Sequence, residues 1–163
     1  MKRFISLAAF ILLVSLPVVS QKMTIFGGVP FNGNLEQFVT KMVEKGFEYI
    51  DDEGHDAFVG KYLGDDVEVF MMGNTNTGQL IGVTAIILNK EFNEQTAVKK
   101  VREIAGKLGQ MYKIQKWTIK DLGGNYKATI QSGGKNVIIG IKRDFNLDLG
   151  KYLVSTTFMT NIK

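Results

Sequence analysis

The chain has 163 residues, 45% hydrophobic and 22% charged, with a formal charge of +4, one histidine and no cysteine. That size and balance fit one globular domain with its own core and exclude a disordered chain. Without cysteine there are no disulfide staples and no thiol catalysis. With His55 as the lone histidine, zinc sites of the usual kind are excluded too.

The first twenty residues read as an address label. Lys2 and Arg3 precede an apolar run from Phe4 to Leu16, and Pro17 to Ser20 leads to a cut before Gln21. This is the order of a secretory signal peptide, and the run is shorter than the roughly 20 apolar residues of a membrane span. The expectation is a signal peptide over 1–20 and a single mature domain over 21–163. The protein would be exported to the periplasm or the medium and would not span the membrane after signal removal.

Asn34 and Gln37 then occupy capping-box positions ahead of Leu35, Phe38, Val39 and Met42, a helical stripe that Gly46 ends. Strand material follows at 47–50 and 57–63, flanking the acidic turn at 51–54. Two further runs, 67–72 and 80–88, flank a loop rich in turn formers. The pattern then restarts. Asn93 or Thr96 caps a second helix with Ala97, Val98, Val101, Ile104, Ala105 and Leu108 on one stripe, ending at Gly109. Strands are expected at 114–120, 126–132, 137–143 and 152–160, with a loop from 144 to 150.

The fold class is therefore α+β: two helix-plus-antiparallel-strand units, over 30–89 and 93–163, with the helices on one face of an antiparallel sheet. A structural duplication and a single αβ sandwich both fit this pattern, as does a pair of sheet halves side by side. Charge divides along the same boundary. Between Gln21 and Asn89 four basic residues face ten acidic ones, whereas from Lys90 onward fourteen basic residues face six acidic ones. Such a dipole steers association or draws the two halves together, unless both faces are simply solvated.

The first unit carries Gly28-Val29-Pro30-Phe31-Asn32-Gly33-Asn34-Leu35, a helix ending Glu44-Lys45-Gly46-Phe47, and Phe58-Val59-Gly60-Lys61-Tyr62-Leu63-Gly64. In this texture and in its twofold pattern the chain resembles the tandem-repeat architecture of the β-lactamase inhibitor protein and PepSY-like small exported proteins. The chain is similar to small exported proteins of no known activity, and no inhibitory residue carries over, because no matching positions can be identified. It departs in one respect: the inhibitor's repeats carry disulfides, and this chain has no cysteine.

Few constellations carry chemistry. His55 stands beside Asp56 in a turn, and no Gly-x-Ser-x-Gly accompanies it. The acids Asp51, Asp52, Glu53 and Asp56, with Asp65 and Asp66 nearby, do not follow the alternation of a calcium loop. Ser132-Gly133-Gly134-Lys135 joins two strands, so it reads as a hairpin turn and not as a phosphate loop. Phe70, Met71 and Met72, with Met111 and Tyr112, fit either core filling or an adaptable binding surface.

Strand alternation in the second unit separates two sets. Trp117, Ile119, Tyr126, Ala128, Ile130, Val137, Ile139, Ile141, Tyr152, Val154 and Phe158 form the expected core. The other set, led by Lys116, Thr118, Lys120, Lys127, Thr129, Lys142 and Thr157, forms an open face. That face is the candidate binding site for an anionic protein, glycan or envelope surface, although a Lys/Thr face also serves simply to keep a sheet soluble. No metal or cofactor is expected, and nucleic acid is not expected as a partner. The leading reading is a non-catalytic secreted or periplasmic binding protein. The alternatives are a carboxylate-dependent glycan hydrolase using Asp51, Asp52, Asp65 and Asp66, or an envelope assembly or structural factor.

Overall fold

The computed structural model describes residues 24–30, 34–52, 55–74 and 76–160. The expected signal peptide over 1–20 lies outside the described residues.

Both helices start where their caps place them. The Asn34 side chain accepts the Gln37 amide at 2.9 Å and opens α1 (Leu35–Glu44), which buries Phe38 and Met42. Asn93 accepts the Thr96 amide at 2.9 Å and opens α2 (Glu94–Met111), whose stripe of Ala97, Val101, Ile104, Ala105 and Leu108 is buried. Each cap satisfies an amide that the first helical turn leaves without a partner. The second helix passes through Gly109 to Met111, because one glycine costs only about 1 kcal/mol in a helix held by its buried stripe.

A small hairpin, β1 (Thr24–Phe26) and β2 (Val29–Pro30), precedes α1 and was not expected from the sequence. Gly27 and Gly28 turn it with φ of 56° and 85°, a region that glycine enters without steric cost. The Phe26 ring is fully buried, stacked 4.2 Å from Tyr62 and edge-on to Phe158 at 5.9 Å.

Eight further strands make one antiparallel sheet: β3 (Glu48–Asp52), β4 (His55–Tyr62), β5 (Asp65–Asn74), β6 (Gln79–Ile87), β7 (Thr118–Lys120), β8 (Asn125–Ser132), β9 (Lys135–Asn146) and β10 (Lys151–Thr160). Their order is β3-β4-β5-β6-β10-β9-β8-β7, so β6 and β10 meet in the middle. Three boundaries correct the expected ones. Residues 114–117 form no strand, leaving β7 three residues long; Asp51 and Asp52 lie in β3 instead of a turn; and β9 runs on through 144–146.

The register shows what the sheet covers. Across the six inner strands one row runs Phe58, Val69, Ala85, Thr156, Ile141 and Tyr126, all buried. Its ends, Tyr49 on β3 and Ile119 on β7, are exposed, so Ile119 does not join the expected core. These strands share one core cluster with Phe38 and Met42 of α1 and Val101, Ile104 and Leu108 of α2. Each large side chain so buried contributes about 1.5–3 kcal/mol by leaving water. Among the described residues no helix is long and apolar enough to cross a membrane.

Gly60 is a close approach within that core. A Cβ built on it would lie 2.5 Å from the Phe47 ring, itself buried. Gly60→Ala is therefore expected to lower stability by about 1–3 kcal/mol, the usual cost of overpacking. Urea unfolding measures this, and Phe47→Leu in the same chain should recover part of the loss. An unchanged midpoint for Gly60→Ala would contradict this packing.

Candidate functional site

Strand residues alternate with the buried set, and their side chains lie on the opposite, open face of the sheet. One row of that face runs Thr118, Lys127, Gly140, Thr157 and Thr84, and the next runs Lys120, Asn125, Lys142, Ser155 and Ile86. The register thus brings Lys120, Lys127 and Lys142 onto one face, all three exposed, together with Thr118, Thr157 and Thr129, which pairs with Ile138. Lys116 does not join them: it lies ahead of β7, outside any strand, where no register assigns it a face. Thr84 and Thr157 share a hydroxyl hydrogen bond of 3.0 Å across the central pair of strands.

Two parts of this face went unseen in the sequence. Its middle is apolar, with Phe70, Met72, Ile86, Ile138 and Met159 each partly exposed. In β5, buried Val67 and Val69 alternate with open-face Phe70 and Met72, so apolar residues at both parities hid the solvent side. Its far edge is acidic. Glu48, Glu68 and Asp66 share the face with the lysines but lie on β3 and β5, and Lys61 pairs with Asp66 at 3.5 Å. Of the methionine and aromatic group, Met71 and Tyr112 pack against the core while Met111 stays exposed.

Two of the candidate hydrolase carboxylates, Asp65 and Asp66, do not form a pair. Alternation sends Asp65 and Asp66 to opposite faces of β5. Asp65 is buried, with only 4% of its side chain exposed, and is bonded by Lys90 and by Lys100 at 2.6 Å. Lys100 also reaches Glu103 at 3.2 Å, and Lys107 joins Glu103 at 2.6 Å to the Leu63 carbonyl at 2.8 Å. Burial pushes the Asp65 pKa up, but the hydrogen bonds from Lys100 and Lys90 outweigh it and hold the carboxyl below its ordinary range. Burial likewise opposes the charge of Lys100, and its bonds to Asp65 and Glu103 raise its pKa instead. These groups form a clasp between β5 and α2.

At the other end of the sheet Asp51 pairs in register with Asp56, and the Tyr49 hydroxyl donates to Asp56 at 2.5 Å. That hydrogen bond, with smaller help from burial and from the charges of Asp56 and Asp51, pushes the Tyr49 pKa up to about 12. His55 opens β4 opposite Asp52 instead of lying in a turn, and Glu53 lies outside the described residues. Among the described residues no group of three or more His, Asp or Glu is placed to hold a metal ion. Gly133 and Gly134, with φ of 57° and 75°, close a two-residue hairpin between β8 and β9, so this loop is a turn.

Two shallow clefts flank the molecule. One, of about 540 Å³, is lined by Lys45, Phe47, Glu48, Lys61, Asp66 and Leu88. The other, of about 370 Å³, lies between Gly106 and Gly109 of α2 and the rings of Trp117 and Tyr126, with Arg102 at its rim. Neither lining includes a serine, threonine or histidine. Comparison of the chain with protein-family models, with curated proteins and with solved structures found no match.

The clasp has a defined pH window. The lowered pKa of Asp65 means its contribution is present above the unfolded carboxylate value, about 3.9, and is lost as pH falls through the folded value. The raised pKa of Lys100 means its contribution is present below about 10.4 and is lost as pH rises beyond it. Asp65→Asn is expected to cost about 2–3 kcal/mol at pH 7, since it leaves ammonium groups without their charged partner. Urea titrations at neutral and acid pH should show this loss shrinking below pH ~4. The same loss at both would contradict the clasp.

Proposed function

We propose that the protein is an exported, non-catalytic binding protein that engages an anionic surface through the open face of its sheet. The observation that carries this reading is the convergence of Lys120, Lys127 and Lys142, all exposed, on the face lying opposite the buried rows. Threonines and an apolar centre beside them supply contact area that does not depend on charge. Clustered ammonium groups repel one another, and an opposed anion relieves that repulsion. Each exposed pair is worth only about 0–1 kcal/mol, so recognition needs several lysines together and weakens with salt.

The element order supports a tandem arrangement of the kind seen in the β-lactamase inhibitor protein. A helix and four strands are followed by a helix and four strands, and the last strand of each set meets its counterpart, β6 against β10. In this reading both helices cover one face and leave the other for a partner. A hydrolase finds less support, because Asp65 is engaged by lysines and Asp66 lies on the other face.

Immobilised heparin serves as a polyanionic probe of the face. The protein should be retained at low salt and released as salt rises. Lys120→Glu with Lys127→Glu should weaken retention about tenfold or more, since several charges act together. Thermal stability should move by no more than about 0.5 kcal/mol, as for exposed substitutions elsewhere. Retention unaffected by the double substitution would overturn the assignment of this face.

A further inference from the structure

The charges of the open face are arranged so that the face is complementary to itself. One register row crosses all eight strands, carrying Glu48 on β3, Glu68 on β5, Lys142 on β9 and Lys120 on β7. The acids occupy the first and third places of the row, and the lysines occupy the sixth and eighth. Read backwards, the row exchanges its signs.

We infer that two copies of the chain stack open face to open face about a two-fold axis parallel to the strands, running between β6 and β10. Such an axis reverses the strand order and leaves position along the strands unchanged, so each row meets itself reversed. Glu48 then faces Lys120 of the second copy, Glu68 faces Lys142, and each contact occurs twice. A two-fold axis running across the strands would instead set lysine over lysine and glutamate over glutamate. Charge therefore selects one of the two in-plane axes.

Side-chain relief follows the same rule. In the neighbouring row Phe70 falls over Gly140, where nothing lies within 4 Å of the place a Cβ would take. One row further, Met72 falls over Ile138 and Met159 over Gly82. A bulky ring thus meets an open glycine, whereas Gly82 already lies beneath Met72 and Met159 of its own chain, so the second copy's Met159 rests on those flexible side chains. One facing joins like charges, Asp66 over Asp144, and there Lys61 stands 3.5 Å from Asp66.

The size also suits the purpose. Eight strands about 4.8 Å apart span roughly 34 Å, and four rows extend roughly 20 Å along the strands. That is close to the area of about 800 Å² per partner found in stable interfaces. The two sheets would lie about 10 Å apart and within about 30° of alignment, as stacked antiparallel sheets do.

This rests on reading the open face as a recognition surface, and it names the acidic end of a second copy as the anion that the lysines meet. Sedimentation velocity of the purified protein, over a concentration series at low and high salt, tests it. The expected result is a dimer that weakens as salt rises. Lys120→Glu with Lys142→Glu, and separately Glu48→Lys with Glu68→Lys, should each weaken the dimer about tenfold or more while leaving circular dichroism unchanged. An equimolar mixture of the two variants should restore dimers, because one face is then acidic and the other basic. A monomer at every concentration and salt, or a dimer indifferent to both double variants, would overturn the inference. If the protein is monomeric yet heparin retention still falls in the lysine variant, the dimer fails while the anion-binding face stands. If the dimer follows the charges but heparin is never retained, the dimer stands and the broader anion-binding reading fails.

Discussion

Antiparallel pairing of β6 with β10 is the constraint on which the rest of this structure depends. Five residue pairs, from Ile86 with Ser155 to Gly82 with Met159, join strands that lie more than 60 residues apart in the chain. Without that seam each set of four strands would end in an unpaired central edge, and an exposed edge invites pairing with another chain. With it, the edges of the sheet among the described residues are β3 and the three-residue β7. The seam also aligns the two buried surfaces, so that Val83 and Ala85 continue into Phe158 and Thr156 within one core.

The second tie between the halves is electrostatic. Asp65 begins β5 in the acidic half, and Lys100 belongs to α2 in the basic half. Their contact fixes the helix over the start of that strand, with Lys107 and Glu103 extending the network to the Leu63 carbonyl. The charge asymmetry read along the sequence therefore has two structural outlets. Part of it is consumed internally at this clasp. A further part lies across the open face, with Glu48, Asp66 and Glu68 at the β3–β5 side and Lys120, Lys127 and Lys142 at the β7–β9 side.

Much of the fold was legible because its signals are local. Asn34 and Asn93 stand at the right distance from their apolar stripes, and both helices begin there. Alternation in β8, β9 and β10 likewise separated Ile139 and Ile141 from Lys127 and Lys142. Features set by distant contacts were not legible. The β1–β2 hairpin is too short to show a period, and it forms because Phe26 finds Tyr62 and Phe158. Lys116 continues the alternation of β7 in sequence, but the strand stops short of it, as the chain from 114 to 117 makes no ladder. The apolar centre of the open face was hidden for a different reason: Phe70 and Met72 sit in a strand whose other parity is also apolar. Nor does any local signal reveal that β6 meets β10, and that pairing alone brings the acidic and basic ends onto one surface.

Native-state hydrogen exchange across β4, β6, β8 and β10 tests the central role of the seam most directly. If the seam makes the two halves one cooperative unit, the slowest amides on both sides of it should exchange with the same free energy, equal to that of global unfolding. Substitution within the seam, such as Thr157→Pro, should then lower protection in both halves together. A slowest-exchanging core confined to one half, with the other opening at lower free energy and unaffected by the seam, would contradict this account.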